Sequence, residues 1–181
     1  MIYVETKNFA EDYCWRDFNG VAPIDAFSAG ADKNGKPIYV GQVLYEDKLI
    51  NGKILSNKKV IYFDWLWKEH SRDKNVKIFC TDQPQKFEWI STSCEDMLSL
   101  MHSKILVQGG FEEHPTYIGR VLCDDEKTVG KIICTPVECL QLFTTKNGYT
   151  KGHKKFEVLT YNPKINSTDP CNYAIDARVS L

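Results

Sequence analysis

The chain lacks a charge excess of either sign and lacks any long apolar run. Its 23 basic and 24 acidic residues give a formal net charge of −1, whereas nucleic-acid and anionic-membrane partners favour a clear basic excess. No apolar run approaches the roughly twenty residues that a membrane-spanning helix needs. The first residues, MIYVETKNFAEDYCW, are polar where a signal peptide would be apolar. We expect no nucleic-acid partner, no membrane span, and a cytoplasmic protein or one secreted by a non-classical route.

Cysteine and histidine patterns of metal or redox sites are also missing. The seven cysteines form an odd set without a CxxC pair, which favours reduced thiols over a disulfide framework. The four histidines lack zinc-site spacing, and no GxSxG elbow or P-loop occurs. We therefore expect no metal, no cofactor and no catalytic residue, and we predict that the protein is not an enzyme.

What the chain does contain is an internal repeat. The stretch 39–54 reads YVGQVLYEDKLINGKI and the stretch 117–132 reads YIGRVLCDDEKTVGKI. Eight of these sixteen positions are identical, where chance at average residue usage would give about one. Trp15 and Trp89 precede the two copies at similar distances. A repeated unit fixes the architecture first and predicts that any chemistry appears once per copy.

The repeat divides the chain into two halves and a tail. We place repeat 1 at residues 15–88, repeat 2 at residues 89–161 and a C-terminal tail at residues 162–181. Each half alone is close to the lower size limit for independent folding. The whole chain, with 43% hydrophobic and 12% aromatic residues, is large enough to bury a core, so we expect one compact body.

Alternating side-chain character predicts β-strands through most of the chain. YVGQVL and YIGRVL alternate with a period of two, and Asn-Gly pairs at 34–35, 51–52 and 147–148 are typical turns. Only residues 93–102 suggest a short helix. Further β-rich runs lie at 60–67, 76–80, 87–91, 105–107, 131–134, 139–144 and 156–160. The fold class predicted is all-β, with two tandem, pseudo-twofold related antiparallel repeats.

Two lysines follow glycines at equivalent positions of the repeat. Gly52 and Gly130 are interpreted as turn residues that supply a positive φ. On this interpretation a tight turn holds Lys53 in the first copy and Lys131 in the second.

A carboxylate lies a short distance upstream of each lysine. Asp32 lies upstream of Lys53, and Glu112 lies upstream of Lys131. A carboxylate accepts hydrogen bonds from adjacent hydroxyls and an ammonium donates to their oxygens, so such a pair suits a neutral polyol. Surface charges flanking a hairpin would show the same spacing. Aromatic residues at recurring positions could stack on a sugar, although core packing is their commoner role; they are Trp15, Trp65, Trp67, Trp89, Tyr39 and Tyr117.

The order of these motifs resembles the DM-nine repeat family. Its units carry a G-x-D segment, a Y-x-G-R strand, a P-G-K turn, a G-K-E-H motif and a Y-E-V-L strand. The second copy shows fewer of them than the first. The matching segments are 30–32, 39–43, 52–53, 68–70 and 87–89 in the first copy, and 117–120, 130–131 and 156–159 in the second.

The resemblance implies both a fold and a function. It implies a tandem, pseudo-twofold all-β protein, often a homodimer. In characterised members it implies a calcium-independent lectin for mannose or mannose-containing glycans, linked to innate recognition of microbes in invertebrates. The family's sugar-contacting aspartate and lysine correspond to Asp32 and Lys53, and Glu112 and Lys131 stand at the equivalent places of the second copy.

The sequence departs from the family pattern at several positions. Glu112 replaces the aspartate in the second copy, Asn51 stands where proline is usual, and Trp67 stands where the motif has glycine. The second copy also lacks a clean K-E-H and reads KGH at 151–153, so a site in the first repeat is more secure than one in the second. Two other functions stay open. One is an intracellular protein-interaction or trafficking protein, and the other is a hydrolase that uses Asp32 or Glu112 with a second carboxylate.

Overall fold

The computed structural model describes residues 12–165, which form fifteen antiparallel strands and a short helix. The strands are β1 Cys14–Asp17, β2 Ser28–Ala31, β3 Pro37–Tyr45, β4 Lys48–Leu55, β5 Ile61–Trp65, β6 Lys68–Arg72, β7 Val76–Cys80, β8 Phe87–Ser93, β9 Ile105–Leu106, β10 Gln108–Phe111, β11 Pro115–Cys123, β12 Glu126–Cys134, β13 Cys139–Lys146, β14 Tyr149–His153 and β15 Lys155–Tyr161. The helix α1 spans Met97–Ser103, and a 3-10 turn spans Pro84–Lys86. The all-β prediction is confirmed, and the helix begins four residues later than expected.

The two repeats share one pattern of strand pairing. In the first, the β3–β4 and β5–β6 hairpins are joined through β4–β5, and β7 pairs with β3. In the second, β11–β12 and β13–β14 are joined through β12–β13, and β15 pairs with β11. This confirms the two tandem, pseudo-twofold related repeats. The strands β1 and β8 extend the two units at equivalent edges, on β7 and β15.

Strand pairs between the repeats obey the same symmetry. Ala31 of β2 pairs with Lys127 of β12, and the equivalent pair joins Phe111 of β10 to Leu49 of β4. A third pair joins β14 to β6. These two strands are equivalent to each other in the two repeats, so the pseudo-twofold axis passes close to this pair. Three short junctions thus connect the halves into one body.

The turns of the two long hairpins use acidic residues. Glu46 and Asp47 connect β3 to β4, and Asp124 and Asp125 connect β11 to β12. All four have positive φ, as two-residue hairpin loops of type I′ require. The turns predicted at 34–35 and 147–148 are present, whereas the one predicted at 51–52 is wrong, because those residues lie inside β4.

Gly52 and Gly130 therefore have a different function from the one expected. Each lies in the middle of a strand and faces a glycine of the preceding strand. A Cβ on Gly52 would overlap the carbonyl oxygen of Tyr62, and a Cβ on Gly130 would overlap that of Phe143. The prediction that positive-φ turns hold the following lysines is wrong, since close approach of a neighbouring backbone explains these glycines.

Two sequence echoes are displaced from the structural equivalence. The KEH sequence at 68–70 is similar to KGH at 151–153, but it begins a strand whose equivalent, β14, begins at Tyr149, so the two segments do not superpose. Residues 86–90 resemble residues 155–159, yet their strands β8 and β15 are neighbours that pair with each other. The strand equivalent to β15 is β7. The division of the chain at residue 88 stays a prediction.

Three apolar clusters form the core, and one disulfide lies beside the third. The first cluster belongs to the first repeat, the second lies between β1, β7, β8 and the repeat junction, and the third packs Met97 of α1 against the second repeat. Cys134 and Cys139 pair across the β12–β13 turn and form a disulfide. The expectation that all cysteines are reduced is therefore wrong for this pair, because a hairpin register brings them together. Cys171 lies outside the described residues, as does most of the predicted tail.

Candidate functional site

Lys53 is a buried cation at the junction of the two repeats. Its side chain points from β4 towards β12, and the residue is 3% exposed. Its Nζ donates to Oε1 of Glu126 at 2.8 Å and to Oγ1 of Thr128 at 3.1 Å. The other carboxylate oxygen of Glu126, Oε2, lies 4.0 Å from Nζ of Lys146. The lysine of one repeat thus holds a carboxylate of the other.

Lys131 occupies the equivalent position in the second repeat with other partners. Its Nζ donates to Oε1 of Glu112 at 2.7 Å and to the backbone carbonyl of Asp64 at 2.9 Å. The Asp64 carboxylate lies 3.2 Å away and also accepts a 2.5 Å hydrogen bond from Thr150. Lys131 is 2% exposed. Two carboxylates therefore enclose this ammonium, whereas one carboxylate contacts Lys53.

The sequence positions explain the asymmetry. The residue equivalent to Glu126 in the first repeat is Lys48, since each begins the second strand of its long hairpin. The residue equivalent to Asp64 in the second repeat is Thr145. Lys53 therefore has a carboxylate partner, Glu126, that Lys131 lacks, and Lys131 has a partner, Asp64, that Lys53 lacks.

The predicted partner Asp32 takes part in a turn. Its Oδ1 accepts hydrogen bonds from the backbone amides of Asn34 at 2.8 Å and Lys36 at 2.9 Å. Among the described residues, no hydrogen bond joins Asp32 to Lys53. The residue follows Ala31, which pairs with Lys127, so it lies at the end of the strand beside Glu126. The structure brings Glu112 and Lys131 into contact, whereas Lys53 pairs with Glu126 in place of the predicted Asp32.

Sequence reasoning missed Glu126 and Asp64. The available signal for Glu126 was the charge reversal against Lys48 within an otherwise conserved pair of sixteen-residue stretches. For Asp64 no such signal exists, because its contact with Lys131 spans 67 residues. A pairing between repeats becomes visible only once the strand order is known.

A cavity of about 290 Å³ opens beside Glu126. Its rim carries Tyr149, which is 77% exposed, and Cys123, whose thiol lies 3.3 Å from Nζ of Lys151. That hydrogen bond raises the pKa of Lys151 above its ordinary value. The lining of the cavity is formed by Cys123, Asp124, Glu126, Thr128, Thr144, Thr145, Lys146, Asn147, Tyr149, Thr150 and Lys151. We call this the Glu126 cavity. It presents hydroxyls, both charge signs and one open aromatic ring.

A histidine is held behind the wall of this cavity. Nε2 of His153 lies 2.8 Å from Oγ1 of Thr144. Burial lowers the pKa of His153 below its ordinary value, and the nearby Lys151 charge acts in the same direction. The imidazole therefore prefers its neutral form in the folded protein.

The arginine of the Y-x-G-R motif connects the repeats rather than lining the cavity. Arg120 forms two hydrogen bonds with Glu157, at 2.9 and 3.2 Å, and stacks on Trp89 with its guanidinium carbon 4.2 Å from the ring centroid. It also donates to the carbonyl of Ala29 in the first repeat. The bond with Arg120 lowers the pKa of Glu157, and Lys127 adds to the effect. In the first repeat Gln42 replaces this arginine and donates to the carbonyl of Gly109 across the equivalent junction.

The described part of the chain has neither a cluster of metal ligands nor a membrane-spanning helix. Within residues 12–165, no group of three or more histidine, cysteine, aspartate or glutamate side chains is arranged to hold a metal ion. In the same range no helix is both long and apolar enough to cross a bilayer.

Known proteins match the chain at the level of family and fold. The DM9 repeat family model matches residues 3–72. No curated protein matches the sequence. The crystal structure of the nematode sperm cell motility protein MFP2B has a similar fold, with a TM-score of 0.59 and 12% sequence identity over 85% of this chain. The chain spans about half of that structure, 47% of its length. The order of sequence motifs, the paired repeats and the family match agree: residues 3–72 match the DM9 repeat, and the second half of the chain repeats the same pattern of strands.

Proposed function

We propose that this protein is a carbohydrate-binding protein that takes a mannose-type sugar in the Glu126 cavity without calcium. The observation that carries the proposal is the paired acceptor and donor on the cavity wall. Glu126 Oε2 is not engaged by Lys53 and faces Lys146 at 4.0 Å. A carboxylate and an ammonium at that separation can bind two adjacent hydroxyls of one sugar ring.

Lys53 supports this pair from behind. Its hydrogen bonds fix the Glu126 carboxylate and Thr128 on the cavity wall, so little side-chain freedom remains to be lost on binding. The sequence assigned the acceptor to Asp32 and the donor to Lys53. The proposal moves these functions to Glu126 and Lys146, and it keeps Lys53 as the residue that positions the acceptor.

The rim supplies an apolar contact for the sugar. Tyr149 exposes most of its ring at the opening of the cavity, and an aromatic face can pack against the C–H face of a pyranose. Such a site makes few contacts, so we expect weak binding by one chain and useful avidity only with several sites. The homodimer implied by the family resemblance would supply them and stays a prediction.

Sugar titration followed by nuclear magnetic resonance tests the proposal. Methyl α-mannoside, added with EDTA present, should shift the backbone amide of Gly148 and its neighbours. Glu126→Gln keeps the size of the side chain and removes the charge, so it should weaken binding by about tenfold or more. Glu88→Gln, on an exposed strand position, is the matched control. Wild-type affinity in Glu126→Gln would exclude this site.

A parallel variant separates the two assignments of the acceptor. Asp32→Asn should leave sugar affinity unchanged if Glu126 accepts the hydroxyl hydrogen bonds. Loss of binding in Asp32→Asn, with binding intact in Glu126→Gln, would instead favour the site inferred from the sequence.

A second candidate function is protein interaction, as in an assembly or trafficking protein. Two exposed leucines favour it: Leu44 is 58% exposed and Leu122 is 68% exposed, and they occupy the same position in the two repeats. The similar structure is named a motility protein. Leu44→Lys with Leu122→Lys should then abolish partner binding in a pull-down from cell extract and leave sugar binding intact.

A further inference from the structure

A tryptophan occupies a turn position that suits glycine. Leu66 and Trp67 connect β5 to β6 with φ of 52° and 64°. The equivalent turn of the second repeat is Asn147-Gly148, whose residue types adopt positive φ readily. Bulky residues in this conformation are unfavourable and are concentrated at functional positions. Trp67 is also 64% exposed, so the fold maintains a costly turn that presents an indole to solvent.

The indole borders a second open cavity, away from Glu126. This cavity measures about 450 Å³, and we call it the Trp67 cavity. The Trp67 ring packs edge to face on Phe143, with centroids 5.1 Å apart, which fixes its orientation. The lining of this cavity includes Trp67, Glu95, Glu138, Gln141, Phe143 and Lys154. It shares no residue with the lining of the Glu126 cavity, which lies at the other end of β13.

Polar groups on the wall match the hydroxyls of a sugar. Glu95 and Glu138 supply acceptors, Lys154 supplies a donor, and the Gln141 amide supplies both. The Gln141 side chain lies over Gly152, where a Cβ would overlap its Oε1, so the bare glycine provides the space for that amide. A held aromatic ring beside such groups is complementary to a pyranose, which has an apolar C–H face and polar edges.

We propose that the Trp67 cavity is a second carbohydrate-binding site, with Trp67 as its stacking platform. The class of ligand rests on the proposed function, whereas the residues are entirely different. Two sites at opposite ends of one strand would let a single chain bind two sugar units and gain avidity without a partner subunit.

Nuclear magnetic resonance distinguishes the two sites in one titration. The probes are methyl α-mannoside and α-1,2-mannobiose, and the reporters are the Trp67 indole N–H with the Glu95 amide for this cavity and the Gly148 amide for the Glu126 cavity. Trp67→Gly identifies the indole signal and places in the turn the residue type that its φ favours, so this variant should stay folded. Trp67→Phe keeps a ring and serves as the conservative variant.

The expected result is a sugar-dependent shift of the Trp67 indole and of Glu95 in the wild type. Trp67→Gly should weaken that response about tenfold or more and leave the Gly148 response unchanged, while Trp67→Phe should retain most of it. An unchanged Glu95 response in Trp67→Gly, or no response of the Trp67 indole to either probe in the wild type, would overturn the proposal. Response at Trp67 without response at Gly148 would support this site and exclude the Glu126 cavity.

Discussion

Lys53 of the first repeat and Glu126 of the second form a 2.8 Å ion pair across the repeat junction, and both side chains are largely withdrawn from water. The pair is part of a buried polar layer between the halves, which continues through Lys131 and Asp64. Buried charges of this kind need their partners, because desolvation leaves an unpaired charge unfavourable. Several consequences can be measured.

Lys131→Met should reduce the free energy of unfolding by about 3–5 kcal/mol, as removal of one member of a buried ion pair does. The loss should exceed that of Lys53→Met, because two carboxylates surround Lys131. Urea denaturation measures both. Lys77→Met, which removes an exposed ion pair with Asp17, is the control and should cost less than about 1 kcal/mol. Equal losses at Lys77 and Lys131 would show that burial of the pair has no energetic effect.

Gly52→Ala should destabilise the fold by about 3 kcal/mol or more, because the new methyl would collide with the carbonyl of Tyr62, which is part of a strand. Gly41 pairs with Gly52, and Gly41→Ala should cost at least about 1 kcal/mol less than Gly52→Ala. Its new methyl would meet the ends of isoleucine side chains, which can move. Thermal unfolding of the two variants gives the order. A larger loss of stability in Gly41→Ala than in Gly52→Ala would contradict the prediction. It would mean that the neighbouring strands move apart more easily than the isoleucine side chains repack.

The fold should lose stability on acidification through His153. Its folded pKa lies below the ordinary value, so the unfolded chain binds the proton first, and stability falls as the pH drops below about 6.5. The contribution is fully present above that pH. His153→Gln should flatten the dependence of the melting temperature on pH below about 6.5. His102→Gln, on the exposed end of α1, is the control for the loss of a histidine, and an unchanged pH dependence in His153→Gln would contradict the prediction.

Removal of the Cys134–Cys139 disulfide by the double serine variant should cost about 2 kcal/mol, since the closed loop is short and loop-closure entropy grows with its length. Alkylation with and without prior reduction, followed by mass spectrometry of the peptide that carries both cysteines, checks the bond directly. Full alkylation of both thiols without a reductant would contradict it.

Much of the fold could be predicted from the sequence, because a duplication and a two-residue alternation are local signals. The hairpin at Glu46-Asp47 escaped prediction for a physical reason. Asn-Gly is the usual signal for a type I′ turn, and Asn51-Gly52 lies only a few residues after Glu46-Asp47. The pattern therefore predicts the turn at 51–52 instead of 46–47. The positive φ of an acidic pair has no comparable signature.

The site was predictable only in part, because its contacts join strands that the sequence does not connect. The repeat located Lys53 and Lys131 correctly as equivalent residues. Their carboxylate partners depend on how the strands of one repeat pack against those of the other and on the length of individual side chains. A glutamate at position 112 reaches its lysine, whereas the shorter Asp32 accepts from the amides of its own turn.

The three pairings between the halves have the form of an isologous interface, in which each patch meets its own counterpart. A twofold symmetric dimer of single repeats would have an interface of this form, so the chain has the architecture of a fused homodimer. In a fused chain the two halves can differ in sequence, so each can change its own side of the interface. The different neighbours of Lys53 and Lys131 are an example.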